Sequence, residues 1–290
     1  MSLPLASIIL PTHNRKTMLL HAIESVMAQT YQNWELIVVN DASEDGTDDL
    51  VRNFMMNDSR ISYIRNRASL GGSGARNTGI AAARGDYISF LDDDDRWMPD
   101  KLEKQIEALS EQPEAVAASC WYTANSFLGR RRVVHTRPNP ALQELLSENI
   151  LGGASVCMIR KSALEQTGGF SEDLPSAQDW DFWVRLRIQG PIVVARQALV
   201  NYTVHSGGKI TTDLEKKYVG TRRFYRKHRP LMTENTKRHV LSFIAYIRSR
   251  RANSLYMKFS WLAKSVRWSG TGRGRIFSTL SVLYHIRKTA

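Results

Sequence analysis

With 290 residues, 42% of them hydrophobic, the chain has apolar side chains enough for one large α/β domain with or without an appendage, and it is too apolar for a largely disordered protein. Its formal net charge of +12 is unevenly placed: residues 1–220 carry 23 Lys+Arg against 27 Asp+Glu, whereas residues 221–290 carry 17 against 1. A mildly acidic globular part is therefore followed by a strongly basic segment that needs its own explanation.

The first elements alternate. "ASIILP" (Ala6–Pro11) and "WELIVVND" (Trp34–Asp41) are short β-branched runs, and "RKTMLLHAIESVMAQ" between them has helical apolar spacing. A helix near Gly46–Met56, a strand at "ISYIRN", a Gly-rich entry into "GARNTGIAAAR" and a strand at "DYISFLD" continue the pattern. Such alternation predicts a mainly parallel sheet with helices on both faces and a ligand site at the carboxyl ends of its strands. His13, Asn14, Asp41 and Asp92–Asp95 all fall at those ends. Beyond Pro99 come an amphipathic helix, "DKLEKQIEALSE", a strand-like run, "AVAASCWYTA", the basic turn "GRRRVV", and an apolar stretch, "GGASVCMIRKSAL". The turn "TGGF" and an aromatic helix, "AQDWDFWVRLRI", then lead to the loop-like "NYTVHSGGKITTD". Past residue 220, "RHVLSFIAYIRSRR" and "SLYMKFSWLAKSVRW" set aromatics and aliphatics among arginines at helical spacing. The expected organisation is a catalytic domain over residues 1–220 and a basic amphipathic helical segment over residues 221–290.

Cys120 and Cys157 lie in apolar runs without metal-ligand spacing and are expected as reduced core residues. The N-terminus lacks a basic start and a long apolar run, and no stretch approaches the roughly 18 apolar residues that span a bilayer. The expected location is cytoplasmic, peripheral at the inner face of the membrane.

Four consecutive aspartates, Asp92–Asp95, repel one another unless something positive compensates them. Their all-oxygen donor set suits a hard cation, Mg²⁺ or Mn²⁺, that also takes substrate phosphates. In an extended chain Asp92 and Asp94 would face one way and Asp93 and Asp95 the other, with Asp95 read as the cap of the helix that Pro99 helps begin. Asp41, ending a buried strand, could accept hydrogen bonds from a base or ribose, or cap the turn after it. "LGGSGARNTGI" permits close backbone approach and offers Arg76 to a phosphate, although its spacing fits no phosphate-loop pattern and a helix-packing turn is the competing reading. Asp179 and Asp181 are two apart on a helix, so they point apart and cannot share a role. A carboxylate among aromatics resists ionisation, which suits a general base.

Together, "SIILPTHNR", "SVMAQTYQNWELIVVNDASEDGT", "GARNTGIAAARGDYISFLDDDDRWMPDKL" and "GGFSEDLPSAQDWDFWVRL" resemble the ordered motifs of glycosyltransferase family 2, over about residues 5–210. The resemblance implies the GT-A fold, a Rossmann-like mainly parallel sheet flanked by helices, here with a basic helical C-terminal extension. It implies an inverting hexosyl- or N-acetylhexosaminyl-transferase that uses a nucleoside-diphosphate sugar, UDP- or dTDP-linked, and a divalent cation, Mn²⁺ or Mg²⁺. By position, Pro11, Thr12, Asn14 and Asp41 would line the nucleotide pocket together with Arg76 and Asp92. Asp93 would hold the ribose, Asp94 and His205 the metal, and Asp179 would be the catalytic base. Asn40 stands where the family often has aspartate.

Two other readings compete. A metal-dependent nucleotidyl- or phosphotransferase would also need an acid cluster but commonly has a phosphate-clamping lysine, and Gly71–Asn77 contains none. A nucleic-acid-binding protein could be argued from the tail. The apolar periodicity there (Leu241, Phe243, Ile244 and Ile247, then Phe259, Trp261 and Leu262) instead describes interfacial helices drawn to anionic lipid, with no nucleic acid expected. A tail of that kind suggests a glycan or lipid-linked acceptor used in surface-polysaccharide assembly.

Overall fold

The computed structural model describes residues 3–125, 131–203, 213–252 and 254–269. In chain order the elements are β1 (Ala6–Thr12), α1 (Lys16–Met27), β2 (Trp34–Asn40), α2 (Thr47–Asn57), β3 (Ile61–Arg65), α3 (Gly71–Ala82), β4 (Tyr87–Phe90), β5 (Arg96–Trp97), α4 (Lys101–Glu111), β6 (Ala117–Asn125) and β7 (Arg131–Val134). They continue with α5 (Leu142–Ser147), β8 (Met158–Arg160), α6 (Lys161–Thr167), α7 (Gln178–Gln189), β9 (Ile192–Thr203), α8 (Leu214–His228), α9 (Glu234–Arg251) and α10 (Leu255–Ser269).

The strands form one sheet in the order β3-β2-β1-β4-β8-β6-β9-β5, with β7 beside β6. Its first half, β3-β2-β1-β4, is parallel, as the alternation of strands and helices predicts. Register pairs Thr12 with Asn40, so β1 and β2 end level, while Phe90 at the end of β4 pairs with Ile9 and the chain beyond it runs on along the same edge. The second half is mixed: β8 runs antiparallel to β4 and β6, and β9 is parallel to β6 but antiparallel to β5. All seven residues of β2 are buried, which explains why its sequence is a continuous apolar run without alternation. Glu35, at the far end of that strand, is buried and ionised: burial alone would raise its pKa, but Ser7 and Arg84 hydrogen-bond it below the usual carboxylate range.

The glycine-rich stretch is mostly helix, and Gly74 and Gly79 serve packing. A Cβ on Gly79 would overlap Ile9, so this residue sets how closely α3 lies on β1. This favours the helix-packing reading of the motif over the phosphate cradle. Both cysteines are free and buried, as expected.

The chain divides into two compact units, Met1–Pro140 with Ile150–Glu172 and Asp179–Ser206, and Ala141–Asn149 with Asp173–Gln178 and Gly207–Ala290. The first contains the sheet. In the second, α9 buries Val240, Ser242, Ala245, Ile247 and Ser249, while Ser242 Oγ donates to Ser265 O of α10 at 2.9 Å. Ile247 is 1% exposed, so this part of the expected interfacial face is spent on packing between helices. No helix among the described residues is long and apolar enough to cross a membrane.

Candidate active site

Asp92–Asp95 follow β4 directly, but the extended geometry ends at Phe90. Asp95 N–H donates to Asp92 O at 3.0 Å, closing a turn, and the alternation expected for the four side chains is lost with it. Carboxylate oxygens of Asp92, Asp94 and Asp95 come within 4.8 Å of one another, while Asp93 turns toward β1. There Thr12 Oγ1 donates to Asp93 Oδ2 at 2.9 Å and Arg15 Nη1 donates to Asp93 Oδ1 at 3.0 Å, reaching Asp94 Oδ2 at 3.4 Å. Burial pushes the Asp93 carboxyl up to about 6 even though Arg15 and Thr12 oppose the shift.

The reading of Asp95 as a helix cap is corrected. Arg96–Trp97 pair with β9 and α4 starts only at Lys101, so no helix begins behind Asp95. Asp95 is 1% exposed and takes Ser155 Oγ at 2.6 Å and Thr203 N–H at 3.1 Å. Burial, then Asp92 and Asp94, raise its pKa well above the usual range. Ser155 also accepts Asp92 N–H at 3.1 Å, so one hydroxyl ties both ends of the acid turn to the segment before β8. That segment is fixed from below by Trp97 Nε1 on Ser155 O and Gln105 Nε2 on Val156 O, both at 2.9 Å.

Asp41 is buried, and each of its oxygens accepts two hydrogen bonds, from Asn66 Nδ2 and Leu70 N–H on one and from Ser69 Oγ and Gly71 N–H on the other. Burial would raise its pKa, and these four donors more than reverse the effect. In this structure the carboxylate anchors the entry to α3. Asn14, at φ 52°, accepts Glu44 N–H, and its own N–H donates to Ser43 Oγ, which joins the loops after β1 and β2 beside Pro11 and Thr12. The amide at Asn40 is explained locally: its Nδ2 donates to Asp48 Oδ1 at 2.7 Å and to Tyr63 OH at 2.8 Å, which a carboxylate could not do.

Arg76 is buried on α3 and ion-pairs with Asp92. Its Nε–H has no hydrogen-bond partner among the described residues. Asp179 stands in the first turn of α7, and burial drives its carboxyl up to about 6 against the pull of Arg76, with Asp92 adding to the rise. A Cβ on Gly153 would lie 3.6 Å from Asp179 Oδ2 and 3.8 Å from the Tyr202 ring, so Gly153 lies between Asp179 and Tyr202. Trp183 Nε1 donates to Gly152 O at 2.9 Å and holds that loop to α7. Asp181 points the other way, as the spacing requires: fully buried, it accepts Ser171 Oγ at 2.7 Å and Arg185 Nε at 2.9 Å.

The structure thus joins Thr12, Asp92, Asp93, Asp94, Arg76 and Asp179 through one set of charges and contacts. His205 lies outside the described residues. Sequence reasoning missed Arg15, Ser155, Gly153 and Tyr202. Arg15 stands inside a quoted motif, but Ser155 and Tyr202 reach the acids only through β-strand neighbours far away in the chain.

A family model, Glycosyl transferase family 2, matches residues 7–168. The putative colanic acid biosynthesis glycosyl transferase WcaA of Escherichia coli (strain K12) is 31% identical over 261 residues, 86% of this chain and 90% of the relative. Another Escherichia coli protein, UDP-Glc:alpha-D-GlcNAc-diphosphoundecaprenol beta-1,3-glucosyltransferase WfaP, is 31% identical over 207 residues, covering 70% of this chain and 78% of the relative. Among solved structures, the mannosyltransferase PcManGT from Pyrobaculum calidifontis, in complex with GDP-Man and Mn²⁺, superposes with a TM-score of 0.66 at 18% identity over 96% of this chain and 84% of that one. That likeness speaks to fold.

Proposed function

From the premise that this chain belongs to glycosyl transferase family 2 and has the GT-A fold, we propose that it is an inverting transferase moving a hexose or N-acetylhexosamine from a UDP- or dTDP-linked donor to the hydroxyl of a lipid-linked glycan. The observation that carries this reading is Asp179, a half-buried residue whose carboxyl is raised to about 6, close to Gly153 and under the electrostatic pull of Arg76, which pairs with the acid cluster. A base with that proton affinity is ionised at neutral pH and still takes a proton readily.

Asp179 accepts the proton of the acceptor hydroxyl as its oxygen bonds to the anomeric carbon. The bond from that carbon to the donor phosphate breaks on the opposite face, and the diphosphate leaves with the electron pair. Arg76 keeps Asp179 from holding its proton at rest, and its unpartnered Nε–H suits an anionic oxygen of the donor. Asp93, fixed by Thr12 and Arg15, is the ribose acceptor, with Pro11, Asn14 and Asp41 shaping the nucleotide pocket. The convergent oxygens of Asp92, Asp94 and Asp95 fit a hard divalent cation, to which Asp94 and His205 are the ligands we assign. Held there, Mn²⁺ or Mg²⁺ would supply a positive charge opposite the diphosphate leaving group.

The acceptor class follows from relatives named for colanic acid biosynthesis and for a diphosphoundecaprenol-linked substrate. With it goes attachment of the basic residues 221–290 to an anionic membrane surface on the cytoplasmic side. Screening UDP- and dTDP-sugars for cation-dependent release of nucleoside diphosphate and for thermal stabilisation tests the reading. One donor should score in both; consumption of a nucleoside triphosphate with no response to any sugar donor would overturn it.

A further inference from the structure

The second unit carries a surface whose composition matches a lipid headgroup layer. Ser265 of α10 is buried and meets Ser242 of α9, with their hydroxyl oxygens 3.1 Å apart. At about 100° per residue, the positions opposite Ser265 on α10 are 256, 260 and 263, flanked by 259 and 264, with 257 next to 264 at the edge of this arc. Tyr256 is 81% exposed, Phe259 55% and Met257 46%, and Ala263 and Lys264 are exposed beside them. Among the described residues, nowhere else do three large exposed apolar side chains fall within four positions.

Charge frames this patch. From Arg248 to Ser269 the chain has six Lys+Arg and no acidic residue. The Arg248 guanidinium lies 4.0 Å, and Lys264 Nζ 4.2 Å, from the centroid of the Trp261 ring, so cations are held over the half-buried aromatic at the edge of the arc. Arg250 is exposed in the last turn of α9. Arg251 ion-pairs with Glu215 of α8, but Arg248, Arg250 and Lys264 have no acidic residue among residues 248–269 to neutralise them, and outward aromatic and thioether side chains beside such cations favour partition into an anionic lipid interface over a mixed-charge protein surface.

We propose that Tyr256, Met257 and Phe259 form the membrane-inserting face of this chain, with Arg248, Arg250 and Lys264 meeting lipid phosphates around it. The proposal rests on the membrane-surface reading of the tail and specifies where that contact is made.

Co-sedimentation of the full chain with phosphatidylcholine vesicles, with and without phosphatidylglycerol, tests it. The unsubstituted chain should bind the phosphatidylglycerol vesicles in a salt-sensitive way. The exposed double variant Tyr256→Ser/Phe259→Ser should lose roughly 10²-fold in partition, from two aromatics no longer leaving water. Arg248→Glu/Lys264→Glu should abolish the preference for phosphatidylglycerol, and the control Met55→Ser/Met56→Ser, on the exposed face of α2, should bind like the parent. If the serine variant binds as well as the parent, with an unchanged circular dichroism spectrum, the patch is wrong and the membrane reading stands. If the parent ignores both vesicle types, both fall.

Discussion

The carboxylates around β1 and β4 and the cations of α9 and α10 are both dense clusters of one charge, yet they are handled in opposite ways. The acids are buried, tied by hydrogen bonds to distant strands, and two of them, Asp93 and Asp179, are pushed up to about 6. Many of the cations of α9 and α10 are exposed, and Arg248 and Lys264 lie over the Trp261 ring, while Lys237 and Arg251 pair with exposed glutamates. Burial converts charge into proton affinity and cation affinity, which serve chemistry. Exposure leaves it solvated and salt-screened but free to meet a partner's opposite charge, which serves association.

The contrast is tested most severely by Asp94→Ala, which should eliminate divalent-dependent turnover and weaken nucleoside-diphosphate binding in Mn²⁺. Unchanged turnover would show that the buried acids do not act through a cation. Next in size, Asp179→Asn should cut turnover by about 10² to 10⁴-fold while calorimetric donor affinity stays put; a fall in affinity would make Asp179 a binding residue.

The same carboxyl gives a pH signature. Its folded pKa exceeds the ordinary value of 3.8, so the folded chain holds that proton more tightly than the unfolded chain does. Stability from this group is fully present below pH 3.8 and is lost as pH rises through about 6. Asp179→Asn should therefore not lower Tm at pH 7.5, whereas kcat/KM of the parent should fall about tenfold per unit below pH 6 as the base is protonated. Arg76→Gln should move that inflection upward.

Two residues along, the effect should reverse. Asp181→Ala leaves Arg185 without its buried partner and should cost about 3 kcal/mol in denaturant unfolding. Equal stability losses at Asp179 and Asp181 would erase the distinction between a functional and a structural acid. The smallest change expected is in Gly153→Ala: the added methyl meets ordinary contact distances, so stability should move by less than about 1 kcal/mol, while acceptor kcat/KM drops because the space beside Asp179 narrows.

The parallel half of the sheet was legible in the sequence because β1, β2 and β4 are buried along nearly their whole length and read as largely apolar runs, with the partly exposed edge strand β3 placed by the alternation of strands and helices. Asp179 and Asp181 were separable by helical spacing alone. Asp95 was misread because the chain turns at Asp92–Asp95 and forms a two-residue strand where a helix start was expected, and pairing with β9, a hundred residues on, decides this. Ser155 carried no local signal, since an isolated serine in an apolar stretch gains its role only when β8 docks beside β4. In the tail, period and charge were correct, but the periodicity could not tell the face of α9 that packs from the face of α10 that stays exposed.

The restraints on the acid turn span long stretches of chain: Thr12 grips Asp93 across 81 residues, Ser155 grips Asp95 across 60, and Thr203 N–H completes Asp95 across 108. During synthesis, a nascent chain that has emerged only as far as Asp95 carries all four aspartates next to one another without what orients two of them. Loop closure over such separations is entropically unfavourable until the intervening strands are in place. The arrangement that brings the carboxylates of Asp92, Asp94 and Asp95 together is thus completed only when β9 is added.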